Sequence, residues 1–318
     1  MAYEKGNGKT AVIALGGNAL GNTPQEQLEL VQNTAKHIVD MIQDGTNVVV
    51  SHGNGPQVGM INNAFAYAAA NDDKTPDMPF PEAGAMSQGY IGYQLSQAIL
   101  NDLKSRDIMR STACIVTQTV VDEDDPAFQN PTKPVGAFMD EETAKAKAAE
   151  MGITVKEDAG RGWRRVVASP LPRKIVEIDQ IRQLWDKTIV ITCGGGGVPV
   201  VENPDGTLEG VAAVIDKDHA AELLAEQMDA DALMILTEVE KVAIHWGKPN
   251  QKDLSHLSLA EAARYAAQGH FAPGSMLPKV QACMAFVRSN PSRKAIITSL
   301  NKAIDALNGK TGTVITFA

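Results

Sequence analysis

Apolar runs that end in clustered glycines constrain the fold more than any other feature of this chain. The runs are "VIALGGNALGNT" (residues 12–23), "NVVVSHGNGPQVG" (47–59) and "TIVITCGGGG" (188–197). Continuous Val, Ile, Leu and Ala without polar alternation reads as a strand buried on both faces, and the glycines as tight strand-to-helix turns. Between the first two runs, Leu28, Val31, Ala35, Ile38, Val39 and Ile42 recur near the 3.6 spacing of an amphipathic helix, which Gly45 ends. "CIVTQTVV", "DALMILTEVE", "KAIIT" and "GTVIT" supply further strands. Strands alternating with helices predict an α/β fold with a mostly parallel sheet covered on both faces. Ligands in such folds bind at the carboxyl ends of the strands, where the glycine clusters fall.

Glycine turns in that position suit phosphate. The first turn spaces Gly16, Gly17 and Gly21, which is not the G-x-G-x-x-G of a dinucleotide fold. Gly16 and Gly21 have P-loop spacing, but Asn22 and Thr23 follow where a P-loop has lysine and serine or threonine. The cations for a phosphate site must therefore come from elsewhere. "VIDKDHAAELLAEQM" (214–228) reads as a helix with Ala220, Leu223, Leu224 and Met228 on one face. Asp216 is its natural N-cap and Lys217 lies in its first turn, where a cation opposes the helix dipole by ~0.3–1 kcal/mol. "GSMLPKVQACMAFV" (274–287) repeats the pattern, with Pro278 expected at the first helical position and Lys279 next. Either both lysines point into water, or a polyanion binds between them; the glycine-rich strand ends favour the polyanion.

The 318 residues suffice for two lobes or one large α/β unit, and the net charge of -9 argues against nucleic acid or an anionic membrane as partner. No run approaches the roughly 18 apolar residues of a membrane span, and "MAYEKGNGKT" shows no signal-peptide pattern. Cys114, Cys193 and Cys283, far apart and in apolar contexts, read as reduced, packed residues of a cytoplasmic protein. Six histidines without an H-E-x-x-H point to no protein-held metal. Residues 121–172 break the strand–helix rhythm: the segment is charged, holds five prolines and has one helix starting near Asp140. It is too long for a connection and reads as an insertion on the core. It is either a solvated excrescence or a lid, and its basic residues favour the lid. Lys133, between Pro131 and Pro134, is biased toward extended geometry by the proline after it.

Ten segments in order give the chain a resemblance. They are "ALGGNAL", "SHGNGPQVGMI", "SQGYIGYQL", "NPTKPVG", "KEDAGRGWRRVVASP", "GGGGVPV", "VIDKDHAAELLA", "LTEVEKV", "GSMLPKVQA" and "GKTGTVI". From about residue 10 to 316 the chain resembles carbamate kinases of the amino acid kinase family. The resemblance implies a three-layer α/β/α fold with an open, mainly parallel sheet of about eight strands and a protruding lid subdomain. It implies an N-terminal lobe (1–190, with the lid at 121–172) on the carbamate side and a C-terminal lobe (191–318) on the nucleotide side. The implied reaction is reversible phosphoryl transfer between ATP and carbamate, in the direction of ATP from carbamoyl phosphate and ADP, with Mg²⁺ carried on the nucleotide phosphates. A cytoplasmic homodimer is expected, its interface drawn from "MINNAFAYAAA" and "SQGYIGYQLSQAIL".

Roles carry over to matching positions. Gly16, Gly17 and Asn18 resemble the turn that meets the transferred phosphoryl group, and Gly53, Asn54 and Gly55 the carbamate pocket. Lys217 and Lys279 would neutralise the passing charge, Asp216 would orient them, and Lys133 would reach from the lid to the anion at Asn54. Glu238, Val242, Gly274, Ser275 and Met276 would line the nucleotide pocket, and Gly194 to Gly197 would pack close on substrate. Two rival readings are a relative that phosphorylates another acceptor and a nucleotide-binding sensor without chemistry. The lid motifs oppose the first; the presence of Lys133, Asp216, Lys217 and Lys279 opposes the second.

Overall fold

The computed structural model describes residues 9–17, 20, 23–72, 74–158 and 160–318. The N-terminal half runs β1 (Lys9–Leu15), α1 (Pro24–Gln43), β2 (Thr46–His52), α2 (Gly55–Asn71), α3 (Phe80–Ser105), β3 (Ser111–Cys114) and β4 (Gln118–Val121). Then come β5 (Lys133–Met139), α4 (Glu141–Met151), β6 (Val155–Glu157), β7 (Trp163–Val167) and β8 (Pro172–Ile175). The chain continues through α5 (Ile178–Leu184), β9 (Thr188–Ile191), β10 (Val198–Glu202), β11 (Leu208–Gly210), α6 (Lys217–Gln227) and β12 (Ala232–Thr237). It ends with β13 (Val242–Ile244), β14 (Lys252–Leu254), β15 (His256–Ser258), α7 (Leu259–Ala267), α8 (Met276–Ser289), β16 (Lys294–Ser299), α9 (Ala303–Leu307) and β17 (Thr313–Thr316).

The main sheet has eight strands in the order β15-β17-β16-β12-β1-β2-β9-β3, parallel except where β17 runs against β16. Its apolar runs follow from burial on two sides. Ile13 and Leu15 of β1 join a cluster with Val31, Ile38, Ile91 and Leu95 of α1 and α3. Val12 and Ala14, one residue out of phase, join Leu224 of α6 and Val280 and Phe286 of α8 on the other face. Successive side chains of a strand point to opposite faces, so a strand between two helical layers needs apolar residues at every position. The result is the expected three-layer α/β/α arrangement. Because β1, β2, β9 and β12 are mutually parallel, the turns at Gly16, Gly53, Gly194 and Glu238 meet at one edge of the sheet.

Tertiary packing changes several local expectations. "CIVTQTVV" is not one strand: β3 ends the main sheet, and β4 enters a second, four-stranded sheet, β11-β10-β4-β8. The switch is held by Gln88, whose amide donates to the Thr117 carbonyl and accepts from the Thr117 N–H, each at 3.0 Å. Such a pairing substitutes for the ladder bonds lost where the chain leaves a sheet. Leu28, expected on the apolar face of α1, is exposed, and Gln27 is buried in its place beside Gln57. Cys193 and Cys283 are buried, and burial pushes the Cys193 thiol up to about 12. Cys114, expected to be packed, is exposed at the edge strand. Between β4 and β8, the antiparallel sheet β5-β7-β6 carries α4, capped by Asp140, which accepts from the Thr143 N–H at 2.8 Å.

Candidate active site

Four chain segments converge on the edge where the parallel strands end. Gly16 and Gly17 follow β1; Asn18 lies outside the described residues. Gly53 follows β2, and its N–H donates to the Leu15 carbonyl at 3.1 Å, tying the second turn to the first. Asn54 then stands at the N-cap of α2 without capping it. Its amide donates instead to Ser87 Oγ of α3 at 2.8 Å. An asparagine held away from the cap it would ordinarily make, with Gly55 and the N-terminal end of α2 beside it, is arranged for a small anion.

Glycines 194–197 pack on protein, in a way the sequence did not reveal. A Cβ on Gly194 would strike the His52 ring, and one on Gly196 the backbone at Ile215. Gly195 has φ +64°, and a Cβ there would run into the Asn54 amide. The run is bare because it presses the second turn into shape. Gly195→Ala is therefore expected to displace Asn54 and to impose a left-handed backbone cost of ~1–2 kcal/mol. If Asn54 meets an anionic substrate, kcat/KM for that substrate should fall by roughly 10-fold or more, the loss of one hydrogen bond to a charged group. Parallel steady-state kinetics and thermal melts test this: unchanged kinetics would separate the glycine run from the site.

The cations come from the C-terminal half. Lys217 is the first residue of α6, and Asp216 caps that helix, accepting from the Asp218 N–H at 3.0 Å. Lys279 sits in the first turn of α8, which starts at Met276; Pro278 is thus its third residue, not its first. Proline is tolerated there because the first N–H groups of a helix have no partner within it. The carboxylate between the lysines is Asp218, not the Asp216 expected to orient them. Asp218 Oδ1 lies 2.5 Å from Lys217 Nζ, and its Oδ2 lies 2.8 Å from Lys279 Nζ. The Asp218 side chain is 3 % exposed and the lysine side chains 17 % and 14 %. Burial tends to raise the Asp218 pKa, but the two ammonium groups outweigh it and hold the carboxyl below its ordinary value. Burial, with Lys279 adding to it, depresses Lys217, and Asp218 opposes that shift.

Asp216 pairs with the third cation instead. Lys133 of β5 reaches across from the insertion to place Nζ 3.4 Å from Asp216 Oδ2. The two carboxylates of the -DKD- run thus meet different cations from distant parts of the chain, Asp216 at the N-cap taking Lys133 and Asp218 in the first turn taking Lys279.

Gly16, Gly17, Lys217, Lys279, Ser275, Thr237 and Glu238 line one cleft of about 490 Å³, with Glu26 and Leu30 on its α1 side. Within the Lys217–Asp218–Lys279 cluster the two ammonium groups outweigh the carboxylate by one charge, so this part of the cleft suits an anion, while Glu26 and Glu238 bring negative charge to the same lining. Of the remaining expected nucleotide contacts, Gly274 is exposed and Met276 packs against the core. Val242 is fully buried, its N–H donating to Thr313 Oγ1 at 2.8 Å, and it does not line the cleft. Asp218, Ser87 and His52 belong to the arrangement and were not singled out from the sequence. Asp218 alone had a local signal, a carboxylate at the N-terminus of a helix, which reads as dipole complement.

The chain's likeness to known proteins agrees with this geometry. The model of the amino acid kinase family matches residues 9–299. A carbamate kinase of Staphylococcus haemolyticus is 52% identical over 305 residues, covering 96% of this chain and 98% of that protein. A carbamate kinase-like protein of Escherichia coli is 53% identical over 308 residues, 96% of this chain and 99% of its own length. The solved structure of the Giardia lamblia carbamate kinase bound to AMP-PNP superposes with a TM-score of 0.92 at 45% identity, covering 98% of this chain and 99% of that one.

Proposed function

The chain belongs to the amino acid kinase family, and from that premise we propose that it is a carbamate kinase, forming ATP and carbamate from ADP and carbamoyl phosphate and running the reverse transfer. The observation that carries the reading is the pair of lysines bridged by Asp218 that line the cleft shared with Gly16 and Gly17. Phosphoryl transfer needs little covalent work from side chains; it needs anions brought together and the charge on the moving group neutralised. Each ammonium has three N–H donors, so one can be kept on Asp218 while the others meet phosphate oxygens. Carbamate is already an oxygen nucleophile, and no general base is required.

Adenine nucleotide is assigned to the cleft side lined by Thr237, Glu238 and Ser275, and carbamate to Gly53, Asn54 and Gly55. Mg²⁺ would arrive on the nucleotide phosphates, which with water satisfy most of its octahedral shell. Ammonium and amide N–H donors suit the phosphates themselves, and Glu26 and Glu238 suit the ion's water shell. Free cysteines, two of them sealed in the core, support a reducing, cytoplasmic setting. The deciding experiment is a coupled assay for ATP from ADP, Mg²⁺ and carbamoyl phosphate. No ATP from micromolar protein would overturn the proposal.

Lys133 is assigned to the lid that closes on carbamoyl phosphate, exchanging Asp216 for the substrate. An extended, proline-flanked strand loses little entropy in presenting it. Lys133→Ala should lower kcat/KM for carbamoyl phosphate by roughly 10-fold or more, the loss of one charge-assisted contact. The KM for ADP should move less than twofold; equal losses for both ligands would point to a damaged fold.

A homodimer is proposed through the outer face of α3. Tyr93, Leu100 and Val116 are exposed there around an apolar groove of about 470 Å³ that also reaches Cys114 on the edge strand β3. Apolar surface of that kind, next to an open sheet edge, ordinarily finds a partner. Light scattering at micromolar concentration should return twice the chain mass, and Leu100→Glu should return the chain mass. A monomer in the parent protein would refute the assignment.

A further inference from the structure

His52 is a buried histidine to which phosphoryl transfer assigns no task. It ends β2, is 1 % exposed, and has Nδ1 2.7 Å from the carbonyl oxygen of the next residue, Gly53. A carbonyl oxygen only accepts, so Nδ1 carries the proton and donates. Burial lowers the His52 pKa to about 4, against the opposing pull of the Gly53 hydrogen bond, and the ring is neutral at physiological pH. The Gly53 N–H is fixed to Leu15, and the aliphatic stem of Lys217 lies 3.3 Å from where a Gly53 Cβ would stand. Gly194 covers the ring with no side chain of its own.

The consequence is directional. In a trans peptide the C=O of one residue and the N–H of the next point opposite ways. Holding the Gly53 carbonyl on the buried imidazole therefore aims the Asn54 N–H away from the ring. That N–H donates to no described group. Glycine gives the Gly53–Asn54 peptide little torsional resistance to flipping, so the orientation depends on what holds the carbonyl.

We propose that His52 is a positioning residue: its Nδ1–H locks the Gly53–Asn54 peptide so that the Asn54 N–H is presented to the carbamoyl oxygen of the substrate. This rests on the carbamate-side reading of Asn54. His52→Phe keeps the bulk and removes the donor; it should lower kcat/KM for carbamoyl phosphate by roughly 10-fold or more, with the ADP KM within about twofold. His52→Asn places an amide N–H near the Nδ1 position and should recover most of the loss. Phe at parental kcat/KM, Asn as impaired as Phe, or an ADP KM rising in step would each overturn the role. Nitrogen-15 NMR of the parent protein supplies a readout independent of any variant's folding. The His52 ring should be the neutral Nδ1–H tautomer between about pH 5 and 8, and an Nε2–H tautomer would overturn the proposal. If the parent forms no ATP from carbamoyl phosphate, the assigned reaction fails instead, and the tautomer still reports on the peptide lock.

Discussion

Lys217→Ala should lower kcat for ATP formation by roughly 10²-fold or more, the range for loss of one preorganised electrostatic donor, while leaving the melting temperature within a few degrees of the parent. Lys217 opens on the cleft with Gly16 and Lys279, and its stem packs along Gly53. The activity loss follows from removing a desolvated cation from the cleft proposed to hold the transferring group. Stability survives for two reasons. Asp218 keeps its contact with Lys279 at 2.8 Å, so no buried carboxylate is orphaned. Removing a first-turn cation also relieves its opposition to the dipole of α6. Lys217→Arg should not restore full activity, because a planar fork does not reproduce the compact ammonium that Lys217 places 2.5 Å from Asp218 Oδ1. Steady-state turnover with a parallel circular dichroism melt makes the measurement, and turnover within threefold of the parent would remove Lys217 from the chemistry.

Asp218→Asn should have the opposite profile: both activity and stability fall. Two ammonium groups would face each other across a neutral amide, and breaking a buried ion pair from one side costs about 3 kcal/mol or more. A loss of that size would appear as a lowered denaturant midpoint. The parental Asp218 carboxyl titrates below its ordinary 3.8. Its contribution is therefore complete above that value and is lost as pH falls through the folded pKa; the variant lacks this acid-side loss. Activity should acquire a pH dependence as well. Burial already depresses Lys217, and Asp218 opposes the shift. Without that charge the lysine pKa drops further, and the ammonium fraction shrinks as pH rises. Residual kcat should thus be about 10²-fold down at neutral pH and decline further toward alkaline pH. A parental pH profile in Asp218→Asn would show that Asp218 does not set the charge of its neighbours.

The elements themselves were legible because their signals are local. An uninterrupted apolar run of strand length, closed by glycines, specifies a doubly covered strand from its own residues. So does Asp216 before an apolar periodicity, which caps α6 as read. The switch between sheets at residues 115–117 was not legible, since nothing in "CIVTQTVV" shows that Gln88 of α3 will take both backbone groups of Thr117. Leu28 was misplaced for the same kind of reason. Its helical phase is right, but the burial boundary of α1 is set by neighbours that periodicity does not see.

By itself the sequence determined the strand–helix alternation, the glycine turns at the strand ends and the presence of lysines in the first turns of two helices. Those features depend on residues within one or two turns of each other, where torsional preference and hydrophobic period act directly. Tertiary structure alone decided which charges meet. A linear reading separates Asp216 as the helix cap but does not show which cation Asp216 or Asp218 meets. Packing of α6 against α8 brings Asp218 to a lysine 61 residues away, while the insertion carries Lys133 to Asp216 across 83 residues. The same holds for the bare glycines, whose need for smallness lies in the Asn54 amide and His52 ring pressed against them. Long-range contacts of this kind are fixed by the common core of the parallel sheet, which no single segment contains.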